Sequence, residues 1–356
     1  MHGSRGLGTR RSLSITLMRA AIYHGAGRIT LEDVPTPEIG DGELLVRIHA
    51  CGLCGSDLMQ WYQDPRAPVV LGHEPVGTVA EAGEGAQFAV GTRVFVHHHV
   101  PCFDCPLCRA GRHTLCDRFK STRIDPGGLA EFIRVPAENV RADVLTLPDD
   151  VDDITGTLIE PVACVVRGQR QAGVGPGSRV AVVGAGSMGL LEIQVARALG
   201  AGAVVALEPD EARRAGAARV GAMTPDGLTA DAVKEAFAGE LADQVFVCTH
   251  DHGAIAEALH MAGPGGVVQL FAPTRPGEHV PLDLGAIFFR EVTLQSTYSA
   301  GPNDTRAALD LLAAGDVQAD AVISHRLPLE RAAEAYRIAA NGEALKVVVE
   351  VSGERT

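Results

Sequence analysis

Four cysteines spaced Cys102-x2-Cys105-x2-Cys108-x7-Cys116 form the densest set of potential metal ligands in the sequence. Thiolates that close together can wrap one tetrahedral ion in a lobe too small to have a core of its own. With sulfur at every vertex, such an ion would have no place for substrate, so its role would be structural. Disulfides and an iron–sulfur cluster are the alternatives compatible with the same spacing. A more dispersed set, Cys54, His73, Glu74 and Glu160, combines one thiol, one imidazole and two carboxyls. Together they could hold a second ion with a vacant coordination position for water or substrate. A third chemistry lies in Gly184-Ala-Gly186-Ser187-Met188-Gly189, a glycine pattern able to cradle a pyrophosphate.

Each set needs particular elements to position it. The apolar run Val180–Val183 reads as a buried strand, and Leu190, Ile193, Val195 and Leu199 recur at helical spacing. Gly184 permits the tight turn between them, Gly186 lets the backbone approach a ligand, and Gly189 lets the helix pack against its strand. The helix N-terminus, at Ser187 and Met188, would present free N–H groups to phosphate. A second strand, Ala203–Leu207, ends at Glu208, nineteen residues past Gly189. A carboxylate there can accept ribose hydroxyls and repel a 2′-phosphate, which favours NAD over NADP. The alternative is a βαβ unit that binds nothing.

In the first half, short strands alternate with Gly and Pro; Leu44–Ile48 and Arg93–Val96 are strongly β-like. This part reads as an all-β unit whose loops carry Cys54, His73 and Glu74. His73 and Glu74, being adjacent, would point to opposite faces of a regular strand. Only an irregular turn, eased by Gly72, would let both reach one ion. Pro101, Pro106, Gly111 and Asp117 predict a looped, non-helical backbone around the four cysteines. From residue 203 onward, strands (Gln244–Val247, Val267–Leu270, Val292–Gln295) alternate with helices (Asp210–Val220, Ala230–Ala238, Gly253–Met261), which predicts a parallel, doubly wound sheet. Thr305–Ala314 and Leu329–Ala340 read as amphipathic helices and Lys346–Val351 as a last strand.

At 356 residues and 46% hydrophobic, the chain is long enough for two domains with cores of their own. A formal charge of −13 argues against nucleic acid or an anionic membrane as partner. No apolar run reaches transmembrane length. Residues 1–17 contain arginines but no long apolar core, so they fail as a secretory signal and read as a disordered or extended tail. Eight cysteines without such a signal point to a reducing, cytoplasmic setting.

Cys54-Gly-Ser56-Asp57, Gly72-His73-Glu74, the four-cysteine lobe, Glu160-Pro161 and the Gly184 fingerprint occur in the order and spacing of the zinc-dependent medium-chain dehydrogenases. From about Met18 to its end the chain resembles their polyol (sorbitol) and threonine dehydrogenase branch. The resemblance implies an α/β architecture in which a GroES-like, mainly-β catalytic domain (residues 18–165 and 299–356) carries an inserted Rossmann domain (166–298). It further implies two zinc ions. Cys54, His73 and Glu74 would ligate the catalytic one, with Glu160 bound directly or through water, and Cys102, Cys105, Cys108 and Cys116 would hold the structural one. The implied reaction moves a hydride between NAD and a secondary alcohol of a polyol, sugar or cyclitol. A threonine-type or simple secondary-alcohol dehydrogenase is the next reading, and a non-catalytic dinucleotide-binding protein the alternative of another class. A homotetramer, or else a dimer, is implied as well.

One departure stands out: many relatives carry a histidine where this chain has Met59, which cannot carry a proton. Any proton relay would have to run through Ser56, water and the ribose, and threonine becomes a poorer substrate. Ser56 has a turn residue as its plainer reading. Arg213 could stack on the adenine or lie on a solvated helix face, and Tyr298 could border the substrate. Cys51, Cys164 and Cys248 read as packing residues; His97, His98 and His99 alternate across a strand end, where one could face the substrate cleft, with a strand surface as the plainer placement.

Overall fold

The computed structural model describes residues 16–352. Its fifteen strands are, in order, β1 (Leu17–Tyr23), β2 (Ile29–Pro35), β3 (Leu44–Gly52), β4 (Val69–Val70), β5 (Glu74–Ala82), β6 (Arg93–Val96), β7 (Phe132–Val135) and β8 (Val144–Thr146), then β9 (Arg179–Val183), β10 (Ala203–Leu207), β11 (Ala242–Val247), β12 (Ala262–Leu270), β13 (Thr293–Ser296), β14 (Ile323–Pro328) and β15 (Lys346–Glu350). The tail expected over 1–17 lies largely outside the described residues, but Leu17 already pairs with Pro35 in β1.

β9 to β13 form one parallel sheet in the order β10-β9-β11-β12-β13. Its strands alternate between two cores. Val180, Val182, Val204, Ala206 and Phe246 face one, and Ala181, Val183, Val205, Leu207, Val245 and Val247 the other. Burial on both faces explains why these strands read as continuous apolar runs. The chain leaves β9 for β10 on one side and later returns to β11 on the other. Beyond the carboxyl ends of β9 and β11 this leaves a crevice, the usual ligand site of such sheets.

The second large sheet runs β14-β15-β3-β5-β6-β8, with β7 also on β3. Its first strands come from the front of the chain, whereas β14 and β15 come from the C-terminal end. β15 pairs antiparallel with β3, Val348 opposite Gly52 and Val349 opposite Cys51. On its other side β3 pairs with β5, Gly52 opposite Glu74. The start of β15, the end of β3 and the start of β5 therefore meet at one point. A smaller sheet, β2-β1-β4, completes the set.

A helix the sequence did not announce, Ile159–Ala172, crosses the expected 165/166 junction and ends on Gly173 in the left-handed conformation (φ 76°). It packs against the Ser187–Ala198 helix, where Gln169 Nε2 donates to the Glu192 carbonyl (2.7 Å) and carboxylate (2.6 Å). The Pro302–Ala313 helix packs on it as well. The other expected helices and strands are present with ends shifted by a few residues.

Candidate active site and metal centres

The four-cysteine lobe contradicts the looped backbone expected for it. Pro106–Arg109 and Asp117–Ser121 are short helical turns, and His113–Leu115 is a 3₁₀ turn. Pro106 sits at the first helical position, where its missing N–H costs nothing. Each Cys-x-x-Cys folds so that a backbone N–H points at sulfur: Cys105 N donates to Cys102 Sγ (3.3 Å) and Cys108 N to Cys105 Sγ (3.5 Å). Cys102 Sγ lies 3.9 Å from Cys108 Sγ and 3.6 Å from Cys116 Sγ. A tetrahedron with Zn–S bonds of about 2.3 Å has S···S edges of about 3.8 Å. The lobe therefore has the dimensions of one zinc ion. Disulfide bonding would need sulfurs about 2 Å apart, and in a four-iron cluster each thiolate has its own iron, which spreads the sulfurs farther.

The dispersed set meets where β3, β5 and β15 converge. Ligand atoms of Cys54, His73 and Glu74 lie within 4.8 Å of one another. Gly72, at φ +88°, makes the irregular turn that the adjacent ligands required, and β5 starts only at Glu74. The Glu74 side chain is fully buried over β3, where a Cβ on Gly52 would stand 1.8 Å from Glu74 Oε2. Glu74 Oε1 accepts from Lys346 Nζ at 2.6 Å, while Oε2 has no hydrogen-bond partner. Burial pushes the Glu74 carboxyl up, against the opposing pull of Lys346. An unpartnered buried carboxylate oxygen beside a thiol and an imidazole suits a bound cation.

Asp57, from the Cys54-Gly-Ser56-Asp57 motif, ties this arrangement together. Its Oδ2 accepts from the Cys54 N–H (3.0 Å), and its Oδ1 from the Gly72 N–H (3.4 Å). The same Oδ1 lies 3.4 Å from His73 Nδ1. A buried carboxylate on one ring nitrogen fixes the imidazole and leaves the other nitrogen for metal. Burial opposes the charged form of His73, but Asp57 and Cys54 outweigh it and hold its pKa well above the ordinary value. The signal was available: Asp57 falls three residues after Cys54, where one turn brings its carboxylate back onto the Cys54 N–H. Lys346, the partner of Glu74, had no local signal; only the β15–β3 pairing brings it there.

Glu160 projects from the first turn of the Ile159–Ala172 helix and is buried. Its ligand atom groups with ring nitrogens of His97 and His98 rather than with the Cys54 set, within 4.8 Å of both. The strand-surface placement of the histidines fails at His97. β6 ends at Val96, the chain bends at His98, and His97 is completely buried with Nδ1 2.7 Å from Asp143 Oδ2. The His98 ring lies tilted against that of His73, centroids 4.8 Å apart. Cys164 does more than pack, because its thiol donates to Glu160 Oε1 at 3.3 Å. Ser56 is half-buried on the Gly55–Leu58 turn, and its carbonyl accepts from Gln63 Nε2. Met59 follows that turn. Tyr298 is half-exposed, and burial raises its pKa.

In the crevice of the parallel sheet, Gly184 turns at φ +94°. A Cβ on Gly189 would stand 1.9 Å from the Gly184 carbonyl oxygen, so only glycine allows this helix–strand approach. A Cβ on Gly186 would meet nothing within 4 Å, and that open face is where a ligand could touch backbone. Gly186 caps the helix that starts at Ser187 and Met188. Glu208 is buried at the end of β10; its Oε2 accepts from Ala185 N (2.7 Å) and its Oε1 from Asp210 N (3.0 Å). These bonds pin the carboxylate against the glycine turn. Arg213 lies on the Glu211–Arg219 helix and turns its guanidinium to the Gly342 carbonyl at 3.4 Å.

Comparison with known proteins agrees with this geometry. Residues 40–149 match the alcohol dehydrogenase GroES-like domain, and residues 187–314 the zinc-binding dehydrogenase family. The chain is 31% identical over 344 residues to sorbitol dehydrogenase of Macaca fascicularis, covering 92% of this chain and 94% of that protein. It is 32% identical to the Gallus gallus sorbitol dehydrogenase over 345 residues, 93% and 95% of the two chains. Among solved structures, alcohol dehydrogenase TADH from Thermus sp. ATN1 superposes with a TM-score of 0.84 at 31% identity, over 94% of this chain and all of the other. A Sinorhizobium meliloti 1021 structure assigned to the zinc-binding dehydrogenases and bound to NADP gives 0.84 at 32%, with the same coverage. A GroES-like β sheet carrying two sets of zinc donors, joined to a parallel sheet with a dinucleotide turn, places the chain in the zinc-dependent medium-chain dehydrogenase superfamily, in its polyol-dehydrogenase-like branch.

Proposed function

We propose that this oxidoreductase moves a hydride between NAD and a secondary alcohol of a polyol, sugar or cyclitol at the site built from Cys54, His73 and Glu74. The observation that carries the reading is the buried, half-satisfied Glu74 carboxylate beside Cys54 and His73, on the sheet that the start of β15 completes. Zinc bound there supplies a Lewis acid that makes a substrate hydroxyl more acidic. Asp57 holds His73 in the ligating orientation and Lys346 holds Glu74. Glu160 completes the ligand set directly or through water, and Tyr298 borders the pocket. Ser56 takes the alcohol proton toward water and ribose, because the Met59 thioether cannot. Cys102, Cys105, Cys108 and Cys116 brace the lobe with the structural zinc.

Gly184, Gly186 and Gly189, with Ser187 and Met188 at the helix start, seat the pyrophosphate. Glu208 binds the adenosine ribose, and Arg213 edges the adenine side. A carboxylate at 208 disfavours a 2′-phosphate, which supports NAD even though the Sinorhizobium relative was solved with NADP. The residue ranges 18–165 with 299–356, and 166–298, serve as the catalytic and nucleotide-binding domains.

The thiols are free and no described helix is long and apolar enough to cross a membrane, which fits a cytoplasmic enzyme. Self-association through the edge strand β13 is supported by Phe289, 90% exposed, with Phe288 and Leu284 exposed beside it. That makes a homo-oligomer, a tetramer or else a dimer, the expected assembly. The test follows NADH formation with a panel of polyols, sugars, cyclitols, threonine and small alcohols, repeated with NADP. Turnover of polyols with NAD supports the reading. Turnover confined to simple alcohols, which the Thermus relative's name favours, would move the substrate class, and no turnover with any alcohol would defeat it.

A further inference from the structure

Arg167 is a buried cation to which the site described above gives no task. It is 7% exposed, its Nε is sealed off without a hydrogen-bond partner, and its terminal nitrogens form no hydrogen bond or ion pair among the described residues. A guanidinium keeps its charge, and a buried charge is costly unless an opposite one meets it. We propose that Arg167 receives a carboxylate or phosphate group carried by the substrate, so that the site selects acidic sugar derivatives over neutral polyols. This rests on the hydride-transfer reading given under the proposed function.

The Ile159–Ala172 helix sets where the side chain goes. Seven residues make nearly two full turns, so Arg167 lies in line with Glu160, about 10 Å farther along the same face. Cys164, whose thiol donates to Glu160 Oε1, lies between them on that face. Helical Cβ atoms tilt toward the N-terminus, which starts the Arg167 side chain back toward Cys164 and the metal pocket. Gln169, clasped to Glu192, projects about 200° away from Arg167. Arg167 therefore faces away from the helix that opens at the dinucleotide turn.

Two further observations point to an anion. The carboxylate on the adjoining Pro302–Ala313 helix is already engaged: Asp304 Oδ1 accepts from Arg170, and its Oδ2 from the Gly301 N–H (2.8 Å). Arg167 and Arg170 against Asp304 leave one positive charge uncompensated, and burial pulls the Arg167 pKa down with Asp304 opposing it. The chain that links β13 to that helix crosses the same face. A Cβ on Gly168 would stand 3.4 Å from Thr297 Cγ2 on one flank, while Asp304 meets Arg170 on the other. Along this crossing the hydroxyls of Thr297 and Ser299 are buried and unpartnered. A guanidinium fork and two free hydroxyls all lack an acceptor, and a carboxylate or phosphate supplies several acceptor oxygens at once. Oxidation takes a hydride from one carbinol carbon to NAD and a proton from its oxygen to solvent, leaving a ketone. The acidic group lies several carbons away and is unchanged.

The test compares D-gluconate, D-galactonate and sorbitol 6-phosphate with their neutral parents, sorbitol and galactitol, using NAD and the zinc-loaded full chain. The wild type should show kcat/KM about tenfold or more higher for an acidic compound than for its parent, carried by KM. Arg167→Met keeps the apolar stem and should cut this acid-to-neutral ratio about 10–100-fold, and Arg167→Lys should recover part of it. Both substrates are read on one sample, so a general loss of activity cancels from the ratio. Whether the carboxylates or the phosphate lead identifies the acidic group. A wild type that favours the neutral hexitols overturns the proposal, as does a ratio unmoved by Arg167→Met. Should Arg167→Met fail to fold, the wild-type ratio and Arg167→Lys decide in the same way. Calorimetric titration of D-gluconate and sorbitol 6-phosphate into the NADH-loaded protein reads binding without turnover. If no compound is turned over, the hydride-transfer reading has failed and this titration still decides Arg167. Binding that weakens about 10–100-fold in Arg167→Met supports it, and absent or indifferent binding refutes it.

Discussion

Replacing Gly52 by alanine tests the site through one methyl group. The new Cβ would stand 1.8 Å from Glu74 Oε2, 3.0 Å from its Cδ and 3.1 Å from Lys346 Cε. Ordinary contact requires about 3.5 Å, so the carboxylate must withdraw by more than about 1.5 Å. It cannot do so alone, because Lys346 Nζ holds it at 2.6 Å, with Lys346 only 4% exposed and Glu74 not at all. Overpacking without loss of the ion pair would cost about 1–3 kcal/mol. Separating a buried pair costs about 3–5 kcal/mol. A loss of about 3 kcal/mol is therefore expected in urea unfolding at fixed zinc, with the m value unchanged. A shift of this size in a ligand carboxylate should also lower turnover by about 10²-fold. Gly175→Ala is the control, since a Cβ there meets nothing within 4 Å. If Gly52→Ala unfolds within about 0.5 kcal/mol of wild type and keeps its metal and activity, Glu74 is not held where described and the site has been misread.

Other expectations rest on separate contacts. Gly189→Ala should raise the dissociation constant for NADH at least tenfold by fluorescence titration while leaving the zinc content intact, because its Cβ would strike the Gly184 carbonyl at 1.9 Å. Glu208→Gln should raise the ratio of kcat/KM for NADP to that for NAD by about tenfold; an unchanged ratio would remove the ribose from its account. Asp57→Asn should weaken metal binding about 10–100-fold in chelator competition, through the loss of His73 orientation. In the metal-free protein Asp57 also sets a pH dependence. Burial alone would raise its pKa, but His73 and the Cys54 and Gly72 N–H groups outweigh it and hold it low. The stability it contributes is thus complete above the ordinary aspartate pKa of about 3.9 and is lost as pH falls through the lower folded value. Asp57→Asn should flatten that acid limb of the stability curve.

What the sequence disclosed depended on how local the cause was. The β9 turn and its helix were legible because three glycines, an apolar strand and Glu208 all lie within one βαβ unit. The cysteine lobe's capacity for one metal ion was legible from spacing, but its short helices were not, since Pro106 and Asp117 read as breakers when they in fact begin helical turns. Lys346 and Asp143 were invisible for a different reason. One reaches Glu74 through pairing of the last strand with β3, the other reaches His97 across the β6–β8 corner. The burial of His97 was not legible because it follows the end of the strand at Val96 and is set by packing against Asp143.

The Ile159–Ala172 helix has a mechanical consequence. One end carries Glu160 and Cys164 into the metal pocket, while Gln169 near the other is bonded to Glu192 on the helix that begins at the dinucleotide turn. A rod of that length does not stretch, so a tilt of the parallel sheet against the β sheet must either break the Gln169 clasp or swing Glu160 along an arc. Any such tilt and the reach of one acidic side chain are thereby geared to each other.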